Sequence, residues 1–267
     1  MLALPTVPLN TENKYLQGVL SNGIRVSLVS LPNQEKSSGS MAVKVGAQHD
    51  TLSGLAHFCE HAVFLGSAKF PVENEFKKLL GRNGGASNGG TSMEDTTYRF
   101  SVNKDKFSSV LDVWSNFFVR PLMSDDAIAR EINAVTAEDS KNRILDNRRL
   151  TQVIKDLVVK DTSYKKFSTG NVNTLAYGNA ITNAKELSLI MKEFHRIYYK
   201  PSNMSLALCG PQSIEELKKL AIQYFEPIGV PVYDSGSGSG NIDEDEDATW
   251  ISELKNYKKK DVPSAFP

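Results

Sequence analysis

The stretch His57-Phe58-Cys59-Glu60-His61 constrains this chain more than any other. On an α-helix two histidines four residues apart lie about one turn apart on the same face. In that conformation both imidazoles reach a single metal ion. Glu60 projects about 100° round the helix from His61, beside the ion rather than onto it. Any fold for this chain must therefore set a helix here with one face open to a site. At ordinary frequencies of His and Glu, a chance H-x-x-E-H in a chain of this length is roughly a 1% event.

A catalytic zinc site takes three protein ligands and keeps a fourth position for water. The third ligand must come from elsewhere, and Glu138 is the best candidate. Glu131 lies about two turns earlier on nearly the same face of a long helix. One of the two would bind the metal, and the other would hold a ligand histidine in its tautomer; spacing does not choose between them. The constellation fits a zinc-dependent endopeptidase. Zinc would lower the pKa of its water to about 7 and polarise the scissile carbonyl, and Glu60 would take the water proton and return it to the leaving amine.

Composition narrows the partners. Basic and acidic side chains balance at 31 each, so there is no excess of the kind a nucleic-acid surface shows. No run of 18 apolar residues occurs, and Met1 to Asn10 lack the pattern of a signal peptide, so neither a membrane partner nor export is expected. The two cysteines, Cys59 and Cys209, make no disulfide framework. Together these features point to the cytoplasm.

Periodicity gives an outline. A hairpin turns at Asn22-Gly23, and Ser40 to Val45 forms a third strand. A helix over Gly54–Leu65 stops at Gly66, and Pro71 opens a second helix. A glycine-rich turn spans Gly81 to Gly90, and Thr96 to Val102 alternate as a strand. Phe107, Val110, Leu111, Trp114 and Phe118 recur at helical spacing, as core. Ser124 opens the long helix that carries both glutamates and continues toward Val159. A helix over Lys185–Tyr199, a strand over Ser205–Cys209 and a helix capped by Ser213 follow. The mixture predicts an α+β fold with a mixed, largely antiparallel sheet packed with helices. Residues 1–232 are expected to form one domain. Residues 233–267, rich in Gly, Ser, Asp and Glu, are expected to form a flexible acidic connector to a following region.

Other eye-catching residues have plain explanations. Cys59 lies about 200° round the helix from His57 and belongs to the core. His49 and His195 are isolated and structural. The glycines at 84–90 lack the Gly-Lys-Ser/Thr ending of a phosphate loop.

Gly54-Leu55-Ala56-His57-Phe58-Cys59-Glu60-His61, with Phe64-Leu65-Gly66 behind it, resembles the zinc motif of the insulinase/pitrilysin metallopeptidases, the inverzincins. Phe70-Pro71, Gly85-Ala86-Ser87-Asn88, Arg130 to Glu138 and Lys166 to Asn171 also resemble that family, closest to its insulin-degrading branch, over roughly residues 15–225. The resemblance implies one zinc ion held by His57, His61 and Glu138, Glu60 as general base and Glu131 as supporting carboxylate. It implies that substrate peptides, or small unfolded proteins, add as a β-strand along Asn88-Gly89-Gly90-Thr91. It also implies a homologous C-terminal half or a partner subunit that closes on this domain. The second reading it allows is a non-catalytic or peptide-binding fragment that needs that half. Gly90 stands where relatives often carry an aromatic residue, so the neighbouring pocket is expected to differ.

Overall fold

The computed structural model describes residues 11–158, 162–175 and 184–229, all within one unit, Met1–Val230. The expected connector, 233–267, lies outside the described residues. In chain order the elements are β1 (Lys14–Val19), β2 (Arg25–Ser30), β3 (Lys36–Val43), α1 (Leu55–Val63), α2 (Glu75–Arg82), β4 (Ala86–Thr91), β5 (Thr96–Asn103), α3 (Phe107–Val119), α4 (Asp125–Asn142), α5 (Asp146–Leu157), α6 (Val172–Leu175), α7 (Ala184–Tyr198), β6 (Met204–Gly210) and α8 (Ile214–Phe225). None of the described helices is long and apolar enough to cross a membrane.

The six strands form one mixed sheet in the order β1-β2-β6-β3-β5-β4. Only β2 and β6 run parallel; every other pair is antiparallel. This is the expected α+β class. Each central strand alternates buried and half-exposed residues, so one face is apolar: Val26 and Leu28, Met41 and Val43, Tyr98 and Phe100, Leu206 and Leu208. Helices cover that face. Phe107, Val110, Leu111, Trp114 and Phe118 of α3 are buried as their spacing predicts, and Phe64, Phe76, Phe117, Tyr98 and Phe100 stack edge-on or tilted beneath them. The strand β4 pairs only with β5 among the described residues, so its other edge is free.

Four boundaries differ from expectation. The third strand spans Lys36–Val43 and not Ser40 to Val45, because its ladder with β5 begins at Lys36 and the Val45 N–H turns back onto the Val43 carbonyl. The second helix starts at Glu75, not Pro71, because Asn74 adopts a left-handed conformation (φ 65°) and ends a turn before it. The glycine-rich turn is shorter than expected: Gly84 takes positive φ beside the carbonyl of Leu80, and from Ala86 the chain is strand. The long helix breaks at residues 143–145, where Leu145 is extended and its carbonyl accepts the N–H groups of Arg148 and Arg149, opening α5. Beyond Val135 that helix has little apolar surface to bury, and Ile144 is 77% exposed, so nothing holds it straight through the elbow.

Asp50 secures the start of α1. Its carboxylate, only 6% exposed, accepts the N–H of Gly54 (2.9 Å) and of Ala56 (2.8 Å), two of the donors a helix start leaves unpaired. Burial pushes this carboxyl up to about 7, against the pull of those N–H groups and of the Lys166 ammonium. A folded-state pKa above the unfolded one means that the native state holds the proton more tightly. The contribution of Asp50 to stability is therefore full below about pH 4 and declines as pH rises toward 7. Asp50→Asn should remove this slope: the difference in urea midpoint between wild type and variant should shrink from pH 4.5 to pH 8. A constant difference across that range would contradict the assignment.

Candidate metal centre

The helix α1 presents His57 and His61 on one face, ring centroids 4.8 Å apart. Glu138, on α4, reaches both: its Oε2 lies 3.6 Å from Nε2 of His57 and 3.6 Å from Nε2 of His61. One donor atom from each residue falls within 4.8 Å of the other two. The second nitrogen of each ring is already engaged. His57 Nδ1 donates to the carbonyl of Thr169 (2.7 Å), and His61 Nδ1 donates to Oε1 of Glu131 (2.8 Å). Both Nε2 atoms are thereby turned to one point.

Two imidazole nitrogens and a carboxylate oxygen are a zinc donor set. Tetrahedral coordination at bond lengths near 2.0–2.1 Å separates donors by about 3.4 Å, close to the distances observed. The residues present therefore fit such an ion. The charge distribution is equally suited to a cation. Burial would lower the basicity of His61, but the hydrogen bond to Glu131 and the carboxylate of Glu138 3.6 Å away outweigh burial and raise its pKa to about 9. The His61 imidazole, 3.6 Å away, holds the Glu138 carboxyl down at about 2, with further help from His57 and against some burial.

Glu60 is buried next to this group and outside it. Its Oε2 accepts a hydrogen bond from Thr91 Oγ1 (2.7 Å) on β4. Gly89 makes room for it: a Cβ there would fall 2.1 Å from Glu60 Oε1. Every site residue named from the sequence, including Asn88 to Thr91 of the free edge, lines one cleft of about 550 Å³. Spacing left Glu131 and Glu138 interchangeable. In the fold Glu138 lies nearer the two Nε2 atoms, and Glu131 bonds the far side of the His61 ring.

The remaining sequence readings divide cleanly. Cys59 is fully buried, and burial pushes its thiol up to about 12, so it stays protonated. His195 is half-exposed as a residue, but its ring stacks on Tyr199 with Nε2 buried, and that burial pushes its pKa down to about 4, so it stays neutral. His49 bonds Gly46 locally. What the residue patterns did not reveal is the loop that holds His57. Thr169 acts through its carbonyl, which no side-chain pattern reveals. Asn171 fixes the loop by donating to Asp139 (2.9 Å), a residue 4% exposed. The Lys155 ammonium, buried under the same loop, donates to the Lys166 carbonyl (2.9 Å). The glycine at 170 was the available signal: it has φ 76° and touches the backbone of Gly54.

Comparison with known proteins identifies the family. The insulinase family, peptidase family M16, matches residues 25–164, and the peptidase M16 inactive-domain family matches residues 190–260. Insulin-degrading enzyme-like 1, peroxisomal, of Arabidopsis thaliana is 39% identical over 223 residues, covering 83% of this chain and 23% of the relative. Insulin-degrading enzyme of Homo sapiens is 36% identical over 219 residues, covering 81% and 21%. The crystal structure of pitrilysin superposes with a TM-score of 0.77 at 28% identity, covering 87% of this chain and 24% of that one. The chain thus spans less than a quarter of the length of these relatives. With the insulinase match extending over more than half of its residues, the chain belongs to the insulinase family of peptidases, family M16.

Proposed function

We propose that this chain is the zinc-bearing domain of a metalloendopeptidase that cleaves peptides or small unfolded proteins. The observation that carries the reading is one cleft in which two Nε2 atoms and a carboxylate converge beside a second, separately held carboxylate and a free strand edge. His57, His61 and Glu138 would hold the ion. When bound, zinc supplies a Lewis acid and lowers the pKa of water toward 7. Glu60, steadied by Thr91, takes the proton of the attacking water at its carboxylate and delivers it to the leaving amine. Thr169 and Glu131 keep the two imidazoles in the tautomer that leaves Nε2 free. The free N–H and C=O groups of Asn88 to Thr91 align an extended peptide across the cleft by strand addition.

Because the chain spans less than a quarter of its relatives, a second reading has its own support: the domain binds peptide but needs a further homologous half for turnover. Zinc analysis of the full-length polypeptide, with peptide cleavage measured with and without chelator, separates the two. Stoichiometric zinc and chelator-sensitive cleavage are expected; absence of zinc sinks both the site and the mechanism. If the isolated domain holds zinc and turns over as fast as the full-length protein, the second reading is wrong.

The role of Glu131 has its own test. Glu131→Gln keeps an acceptor for His61 Nδ1 but removes the charge, and the zinc dissociation constant should rise about 10–100-fold. Competition against a chromophoric chelator measures it; an unchanged constant removes Glu131 from the site.

A further inference from the structure

Arg148 is the second residue after the start of α5 and lines the same cleft as the two histidines and Glu138. The break at 143–145, where Leu145 is extended, separates α5 from α4. Its backbone N–H bonds Leu145 and the Asn147 side chain, but among the described residues its guanidinium makes no ion pair and no hydrogen bond. The carboxylates of the cleft are all otherwise engaged. Glu73 pairs with Arg130, Glu131 with His61, Glu138 with both histidines, and Glu60 with Thr91. An unpaired guanidinium therefore stands in a cleft that otherwise carries anions already committed to partners.

We propose, building on the peptidase reading above, that Arg148 selects substrates with a carboxylate close to the scissile bond. The planar guanidinium forks onto a carboxylate with two parallel N–H···O bonds, which a neutral amide of the same shape cannot match. A peptide laid along β4 carries its side chains alternately toward and away from the cleft, so one position of the substrate faces Arg148. The carboxylate belongs to an Asp or Glu side chain or to the end of a short peptide. Lys77, on α2, also lines the cleft, but a compact ammonium discriminates an acid from its amide less sharply.

The test uses the full-length zinc-loaded protein and peptides of one sequence, amidated at the C-terminus, with Glu, Gln or Lys stepped through each position flanking the cleaved bond. At one position kcat/KM for Glu should exceed that for Gln by about tenfold, a size tempered by the exposure of the arginine. Arg148→Ala should bring this ratio to within about twofold of unity, Arg148→Lys should keep part of it, and Arg148→Glu should invert it in favour of Lys. A second set with free C-termini distinguishes a terminal carboxylate: there the preference appears for the acid over the amide and not for Glu over Gln. A ratio unchanged in Arg148→Ala, or no preference in wild type at any position and at either terminus, overturns the proposal. Should no peptide be cleaved, the peptidase reading fails on its own. The selectivity is then read from binding of the Glu and Gln peptides to the Glu60→Gln protein, and equal affinities overturn it.

Discussion

Replacing Glu60 with glutamine should lower kcat by about 10²–10⁴-fold while the protein keeps its zinc. The two halves of this expectation come from separate observations. Glu60 lies outside the group of donor atoms formed by His57, His61 and Glu138, so the ion loses no ligand. The amide is nearly isosteric, and its carbonyl oxygen can still accept from Thr91 Oγ1, which lies 2.7 Å from Oε2 in the wild type. What the amide cannot do is take a proton from water and return it to an amine. KM should move little, because the proposed strand addition of substrate would use the free edge of β4 and not this side chain. Single-turnover cleavage with parallel elemental analysis reads both quantities. A variant as active as wild type would end the role of Glu60. A variant without zinc would show instead that Glu60 helps to hold the ion.

The parts legible in the sequence are those set by local periodicity. The His57–His61 spacing required a helix, and α1 supplies it. Alternation found β5, and apolar spacing found the buried face of α3. Ser213 was read as a cap, and it forms a full capping box with Glu216. What could not be read depends on where one element lies against another. Glu131 and Glu138 share a face of α4, so their periodicity is identical; only the packing of α4 on α1 sets Glu138 nearer the two Nε2 atoms and Glu131 behind the His61 ring. The break after Asn142 carries no Gly or Pro and therefore leaves no local mark, yet beyond it Arg148 lines the cleft. The partner of His57 is a backbone carbonyl, for which any residue type would serve.

That carbonyl leads to the largest structural effect expected of a single methyl group. Gly54 caps α1 with φ 92°, and a Cβ built on it would fall 2.2 Å from Gly170 Cα and 2.5 Å from Gly170 N. Both obstacles are backbone, so no rotamer relieves them. Gly170 is itself at φ 76°, with its own Cβ position 3.0 Å from Gly54 Cα; the start of α1 and the 162–175 loop meet backbone to backbone. Gly54→Ala must either distort the helix start that Asp50 secures or push the loop outward. Left-handed strain costs about 1–2 kcal/mol, and overpacking costs about 1–3 kcal/mol more. Outward movement would also lengthen the 2.7 Å bond that orients His57, so zinc affinity should fall about 10–100-fold, as when an outer partner of a ligand is lost. Gly23→Ala provides the control. Gly23 has a similar φ, 101°, but open space around it, so it carries the strain without the collision and lies far along the chain from the site. Urea midpoints and zinc competition on the two variants separate the contributions: Gly54→Ala should lose more stability than Gly23→Ala, and it alone should lose zinc affinity. Equal losses of stability with zinc binding intact in both would mean that the contact between Gly54 and Gly170 does not hold His57 in place.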